Sequence, residues 1–208
     1  MDVLVVGSNG SIGRRYCTLL RYIGINPIEI DIDSLMTIKM ASEFSDKAIN
    51  CTPSEYHYQI NLELVRFGFK ILCEKPACLD HKEIYSLKTL RANIREVNNW
   101  AYTIPSKTIL PNSHVITYNY FMSGKERLSH NLWQPIILSK DQFVYESTSP
   151  VFRVFLDDYA LSQRDFDMSY LYMIQDFVYE TDKAGWDLDT CKTSIDKVRE
   201  WSLKNDNN

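Results

Sequence analysis

Three glycines and one lysine are the residues of this chain best suited to do chemistry together. Gly7, Gly10 and Gly13 form G-x-x-G-x-x-G inside Val3-Leu-Val-Val-Gly-Ser-Asn-Gly-Ser-Ile-Gly-Arg-Arg-Tyr16, an apolar run, a glycine turn and a helix start. Such a turn needs glycine for positive φ, for close approach of backbone to a pyrophosphate, and for packing of helix on strand. Ser8, Asn9, Ser11 and Ile12 fill it, and their amides join Gly10 and Gly13 in facing the anion. The helix start adds partial positive charge. The usual fingerprint is G-x-G-x-x-G, so this turn is a residue longer. The plainer alternative is an ordinary tight βα turn.

Asp31 ends the next apolar run. A carboxylate there hydrogen-bonds ribose hydroxyls and repels a 2′-phosphate, which favours NAD over NADP. Asp33 is placed for the same task, and a loop or capping role is the alternative for both. Arg14 and Arg15 either approach phosphate or sit solvated on the helix. Lys75 follows the apolar run Ile71-Leu-Cys and precedes Pro76, which forces a turn. A lysine at the carboxyl edge of a parallel sheet is placed to hydrogen-bond a substrate hydroxyl or a nicotinamide.

The surrounding elements must bring these groups to one edge. Residues 2–6 read as a strand and 11–23 as a helix with Ile12, Leu19, Leu20 and Ile23 on one side, closed by Gly24. Residues 27–31 read as the second strand and 47–51 as a third, stopped by Thr52-Pro53. Residues 54–67 have helical spacing in Ile60, Leu64 and Phe67, and Gly68 closes them. A strand over 69–73 follows, then a helix capped by Asp80 and running to about 95. This βαβ order predicts an α/β fold, a Rossmann-like doubly wound parallel sheet, over residues 1–97.

The pattern then changes. Strands are expected over 98–103, 114–121, 142–146 and 151–156, and an apolar helix over 128–139, kinked at Pro135. Amphipathic helices are expected over 166–181 (Phe166, Tyr170, Met173, Ile174, Phe177) and from Asp189 to Leu203. Residues 98–208 thus read as a second, smaller α+β domain for substrate binding or oligomerisation.

The stretches Asn50-Cys-Thr-Pro-Ser-Glu-Tyr-His57 and Val65-Arg-Phe-Gly-Phe-Lys-Ile-Leu-Cys-Glu-Lys-Pro76, with Gly10-Ser-Ile-Gly-Arg-Arg15, resemble the glucose–fructose oxidoreductase / inositol dehydrogenase (Gfo/Idh/MocA) family over roughly residues 1–80. The resemblance implies oxidation or reduction at a sugar, sugar-nucleotide or cyclitol carbon, with Lys75 beside the reacting hydroxyl. It also implies that Cys51, Thr52, Pro53 and His57 line the cofactor and that Glu74 contacts its nicotinamide ribose. A helix-surface histidine is the alternative for His57. The family's Asp-x-x-x-His pair, whose His exchanges the hydroxyl proton, is nowhere in this chain. His130 is the nearest substitute within Ser123 to Gln134, where Asn131, Trp133 and Gln134 also stand. A packed polar residue is its alternative, and Tyr102, Tyr118 and Tyr120 are other donors. The second domain is also shorter than the family's. Two rivals follow: a relative that binds NAD or a sugar nucleotide as a sensor or subunit, and a biliverdin- or imine-type reductase.

Composition sets outer bounds. The chain has 208 residues, 45% of them apolar, and a formal net charge of −4. With no basic tail, nucleic acid is not an expected partner. The five cysteines (17, 51, 73, 78 and 191) show no paired spacing and read as core thiols of a reducing compartment, with no metal site. The first residues are too short for a signal peptide, and no apolar run approaches the roughly 20 residues that cross a bilayer. The expectation is a cytoplasmic homodimer with a small sugar-like substrate and no membrane partner.

Overall fold

The computed structural model describes residues 1–102, 115–119, 142–146, 153–156, 159–179 and 184–205. They divide into two compact units, one of Met1–Val97 with Met173–Lys192, the other of Asn98–Tyr172 with Thr193–Asn208.

The first unit is built on β1 (Asp2–Val6), β2 (Asn26–Ile30), β3 (Lys47–Asn50), β4 (Lys70–Cys73) and β5 (Ile94–Glu96). Their order is β2-β1-β3-β4-β5, and every pairing is parallel. Val3, Leu4, Val5, Ala48, Ile49, Ile71 and Leu72 are fully buried. Continuous apolar runs are what a sheet covered on both faces requires. The order reverses between β1 and its two neighbours, the switch point where open α/β sheets bind ligands.

Helix α1 (Ser11–Tyr22) follows β1, and its inward stripe is Gly13, Tyr16, Cys17 and Leu20. The expected stripe shared only Leu20 with it. Gly24 closes this helix at φ +79°, as the sequence suggests. A short helix, α2 (Ile38–Ala41), precedes β3 and had no signal in the sequence reading. Helix α3 (His57–Arg66) is entered through a 3-10 turn over Ser54–Tyr56, and buries His57, Asn61 and Leu64. In α4 (His81–Thr89) the Asp80 carboxylate accepts the Lys82 and Glu83 amides, while Glu83 accepts the Leu79 amide. The Glu83 carboxylate thus reaches one residue beyond the N-cap, a variant of the capping box.

Two expectations are corrected beyond α4. The helix ends at Thr89 rather than near 95, because Arg91 turns into the left-handed region at φ 51° and its amide bonds Lys88 O. Residues 94–96 then form β5. The strand expected over 98–103 is not formed by its described residues, 98–102: Asn99–Tyr102 is a 3-10 helix, with Trp100 buried edge-on against Phe166.

The second unit holds a mixed sheet, β6 (Val115–Asn119), β7 (Gln142–Glu146), β8 (Arg153–Leu156) and β9 (Tyr159–Ala160), in the order β7-β6-β8-β9. β6 and β7 are parallel and the other pairs antiparallel. The expected 128–139 helix lies outside the described residues. Helix α5 (Gln163–Val178) starts and ends about a turn earlier than the spacing suggests, and Phe166, Tyr170, Met173, Ile174 and Phe177 are all buried. Helix α6 (Leu188–Asn205) is capped by Asp187, whose carboxylate accepts the Thr190 amide and is thereby held below the usual carboxylate range. Among the described residues no helix is long and apolar enough to cross a membrane.

Candidate functional site

Register brings the sequence motifs into one row. Ile30, Val6, Asn50 and Cys73 stand side by side as the last paired residues of β2, β1, β3 and β4. The residues that follow, Asp31, Gly7, Cys51 and Glu74, therefore leave the sheet together at its carboxyl edge. The ladder extends one step beyond the strands: Gly7 N–H bonds Ile30 O, Cys51 N–H bonds Val6 O, and Glu74 N–H bonds Asn50 O, at 2.8 to 2.9 Å.

The glycine turn is tight because of its glycines. Gly7 has φ +82°, and a Cβ there would meet the Cys51 carbonyl at 2.8 Å. A Cβ on Gly13 would sit 2.1 Å from Gly7 O. Gly10 differs: a Cβ would meet only Gly7 O, at 3.3 Å, with open space beyond. Gly10 is also the N-cap of α1 and offers no side chain to the first-turn amides, which leaves them available to an anion. Asp31 faces the same turn. Its Oδ2 accepts the Asn9 amide and its Oδ1 the Ile32 amide, both at 2.8 Å. Ser8 is buried, and Asp33, Arg14 and Ser11 are exposed.

The lysine turn is held from several sides. Lys75 and Glu74 are each 7% exposed, and the Lys75–Pro76 peptide is cis. Lys75 Nζ lies 3.3 Å from Glu74 Oε2, and Tyr16 Oη donates to Glu74 Oε1 at 2.8 Å. His57 is 2% exposed, which excludes a surface role. Its Nδ1 faces Pro76 O at 2.7 Å and its Nε2 faces Thr52 O at 2.6 Å. Carbonyls only accept, so both bonds exist together only in the doubly protonated ring. Asn61 Nδ2 donates to Ala77 O and to Cys73 Sγ, each at 3.3 Å, and Glu96 Oε2 accepts the Ala77 amide at 2.6 Å. Asn50 completes the network. It donates to Asn61 Oδ1 and His57 O, while its own oxygen accepts the Thr52 amide and hydroxyl.

Tyr16, Asn50, Asn61 and Glu96 were not singled out by sequence reasoning. The one available signal was polar: His57 and Asn61 fall four residues apart on the face that Leu64 also buries. His130 lies outside the described residues. All five cysteines are free thiols. Burial pushes Cys17 up to about 12, and Cys51, Cys73, Cys78 and Cys191 also rise through burial. No group of His, Cys, Asp and Glu among the described residues is arranged to hold a metal ion. A cleft of about 330 Å³ lies at the opposite end of β5, between Lys88, Arg91, Arg95, Asp187 and Asp189. Its mixed charge and position set it apart from the motif edge.

No protein-family model and no curated protein matches the sequence. Solved structures do match. The WlbA (WbpB) dehydrogenase from Thermus thermophilus, in complex with NAD and UDP-GlcNAcA, is 13% identical, with a TM-score of 0.71 over 99% of this chain and 95% of that one. UDP-N-acetylglucosamine 3-dehydrogenase GnnA from Acidithiobacillus ferrooxidans is 12% identical, with a TM-score of 0.72 over 96% of each chain. A myo-inositol dehydrogenase from Corynebacterium glutamicum is 10% identical, with a TM-score of 0.69 over 96% of this chain and 94% of that one. The chain has the Rossmann-like fold of these dehydrogenases.

Proposed function

We propose that the chain is a nicotinamide-dependent oxidoreductase acting on a hydroxyl or ketone of a sugar, a sugar nucleotide or a cyclitol. The observation that carries this reading is the row at the sheet edge, where glycine turn, Asp31 carboxylate, Thr52 loop and Lys75 turn emerge together. Neighbours crystallised with NAD and a sugar nucleotide, or named for action on one, support the substrate class.

The residues fit a dinucleotide. The uncapped start of α1 and the open space at Gly10 suit a pyrophosphate, held by the first-turn amides of Ser11, Ile12 and Gly13. Asp31, already aimed at Asn9, holds a ribose and selects NAD over NADP. Cys51, Thr52 and Pro53 form the facing wall. His57 has both ring nitrogens on carbonyls, so it braces this wall against the lysine turn. Bound nicotinamide supplies hydride transfer. Lys75 donates an Nζ–H to the reacting oxygen and stabilises the charge that develops there. Glu74 orients Lys75, and His130 exchanges the hydroxyl proton. Calorimetry is expected to show NADH binding more tightly than NADPH. An intact protein that binds neither would overturn the reading.

A second reading rests on one feature, the lack of an Asp-x-x-x-His pair. In it the protein binds NAD or a sugar nucleotide as a sensor or subunit and turns nothing over.

The reading extends to assembly. The strands of the second unit are rich in Tyr, Val, Phe and Ile, a composition that suits a sheet face buried against another copy. A homodimer built from residues beyond 97 covers it. Light scattering at high micromolar concentration is expected to give twice the chain mass, and a strictly monomeric mass refutes the dimer. Five free thiols suit the reducing cytoplasm.

A further inference from the structure

We infer that Tyr16 is a positioning residue for Lys75, acting through Glu74 to fix where the ammonium sits. The inference concerns the lysine of the proposed site and rests on that reading for its functional meaning, though not for its geometry.

Two layers of restraint surround Lys75. The first acts on the backbone. Pro76 O is bonded by His57, Ala77 O by Asn61, and the Ala77 amide by Glu96, so the turn is fixed from α3 and β5. None of these bonds fixes the lysine side chain, which has four rotatable bonds of its own. The second layer does. Glu74 divides its carboxylate, Oε2 toward Lys75 Nζ at 3.3 Å and Oε1 toward Tyr16 Oη at 2.8 Å. Tyr16 is fully buried in the middle of α1 and cannot swing aside without opening the core. A phenol in that position needs a hydrogen-bond partner, and a buried carboxylate needs donors on both oxygens. Each requirement meets the other across 58 residues of sequence.

The consequence is geometric. Helix α1 begins at the glycine turn and carries Tyr16 one turn further along. One rigid element thus sets both the phosphate cradle and, through Glu74, the position of the ammonium. Hydride chemistry needs those two points at a fixed separation, since small misplacements at the reacting atom are costly.

The test needs neither substrate nor cofactor. The Lys75 ammonium is titrated by NMR in protein labelled with ¹⁵N-lysine and assigned by loss of its signal in Lys75→Arg. In Glu74→Gln the midpoint is expected to fall by about one pH unit, because an adjacent carboxylate favours the charged amine. Tyr16→Phe is expected to displace it by a smaller amount, because Glu74 is then no longer fixed from its far oxygen, with a single cooperative melt. A Lys75 midpoint in Tyr16→Phe equal to wild type would make Tyr16 a packing residue and overturn the inference. If Tyr16→Phe does not fold, Tyr16→Met decides. It fills the space and removes the hydroxyl while Glu74 keeps its length, and an unmoved midpoint there overturns the inference equally. NADH fluorescence titration of the wild type is run alongside: absent binding defeats the proposed function and leaves the Lys75 result standing.

Discussion

Lys75→Met is expected to lower turnover by a factor of about 10² to 10⁴, the usual range for a positioned proton donor. Methionine keeps the length and apolar stem of the side chain and removes the charge. NADH affinity is expected to stay near wild type, because the lysine addresses the reacting oxygen and not the pyrophosphate. The substitution also leaves the Glu74 carboxylate buried without its ammonium, and breaking a buried pair from one side costs about 3 to 5 kcal/mol. The double variant Glu74→Gln/Lys75→Met removes both charges and separates lost stability from lost chemistry. Substrate is found first, by screening sugars and sugar nucleotides for a change in NADH absorbance. His130→Ala lowers turnover further if His130 carries the proton. Turnover retained in Lys75→Met makes the lysine structural. A broad screen without turnover, in a protein that binds NADH, favours the sensor or subunit reading.

The second large effect concerns Gly10 and is read by contrast with Gly13. Gly10→Trp is expected to abolish dinucleotide binding in calorimetry while the melting temperature changes little. The new Cβ meets only Gly7 O at 3.3 Å, and the indole has open space to enter, the space a pyrophosphate would fill. Gly13→Ala is expected to lower binding and stability together. Its Cβ would stand 2.1 Å from Gly7 O, so the turn itself must move. If Gly10→Trp binds NADH like wild type, the pyrophosphate does not lie over this turn.

The parallel sheet was legible because its strands are continuous apolar runs closed by local signals. Gly24 and Gly68 end helices at positive φ, Asp80 caps α4, and Thr52-Pro53 stops β3. β5 was hidden for the same reason in reverse. Arg91 adopts the left-handed conformation that glycine usually marks, and Leu-Arg-Ala-Asn-Ile-Arg-Glu continues a helical composition through the break. The strand expected over 98–103 failed because aromatic content suggests pleated surface, whereas Trp100 is consumed in packing on Phe166. At the site, Lys75 and the glycines announced themselves by motif. Tyr16, Asn50, Asn61 and Glu96 did not, because each acts through one partner far away in sequence. An isolated tyrosine on an apolar helix face reads as core until the carboxylate opposite it is known.

The pairing of Glu96 with Trp186 bears on how the chain is made. Both backbone groups of Glu96 are satisfied there, its N–H by Trp186 O at 2.7 Å and its carbonyl by the Trp186 N–H at 2.8 Å. Gly185 allows the approach, since a Cβ on it would stand 2.4 Å from Glu96 O. During synthesis the outer strand of the first sheet therefore leaves the ribosome long before the segment that covers it. Until Trp186 emerges, β5 is an open edge able to pair with whatever strand it meets. The motif-bearing half is complete in sequence early and in structure late, so a nascent chain halted before residue 186 carries the Glu96 edge of its sheet unpaired.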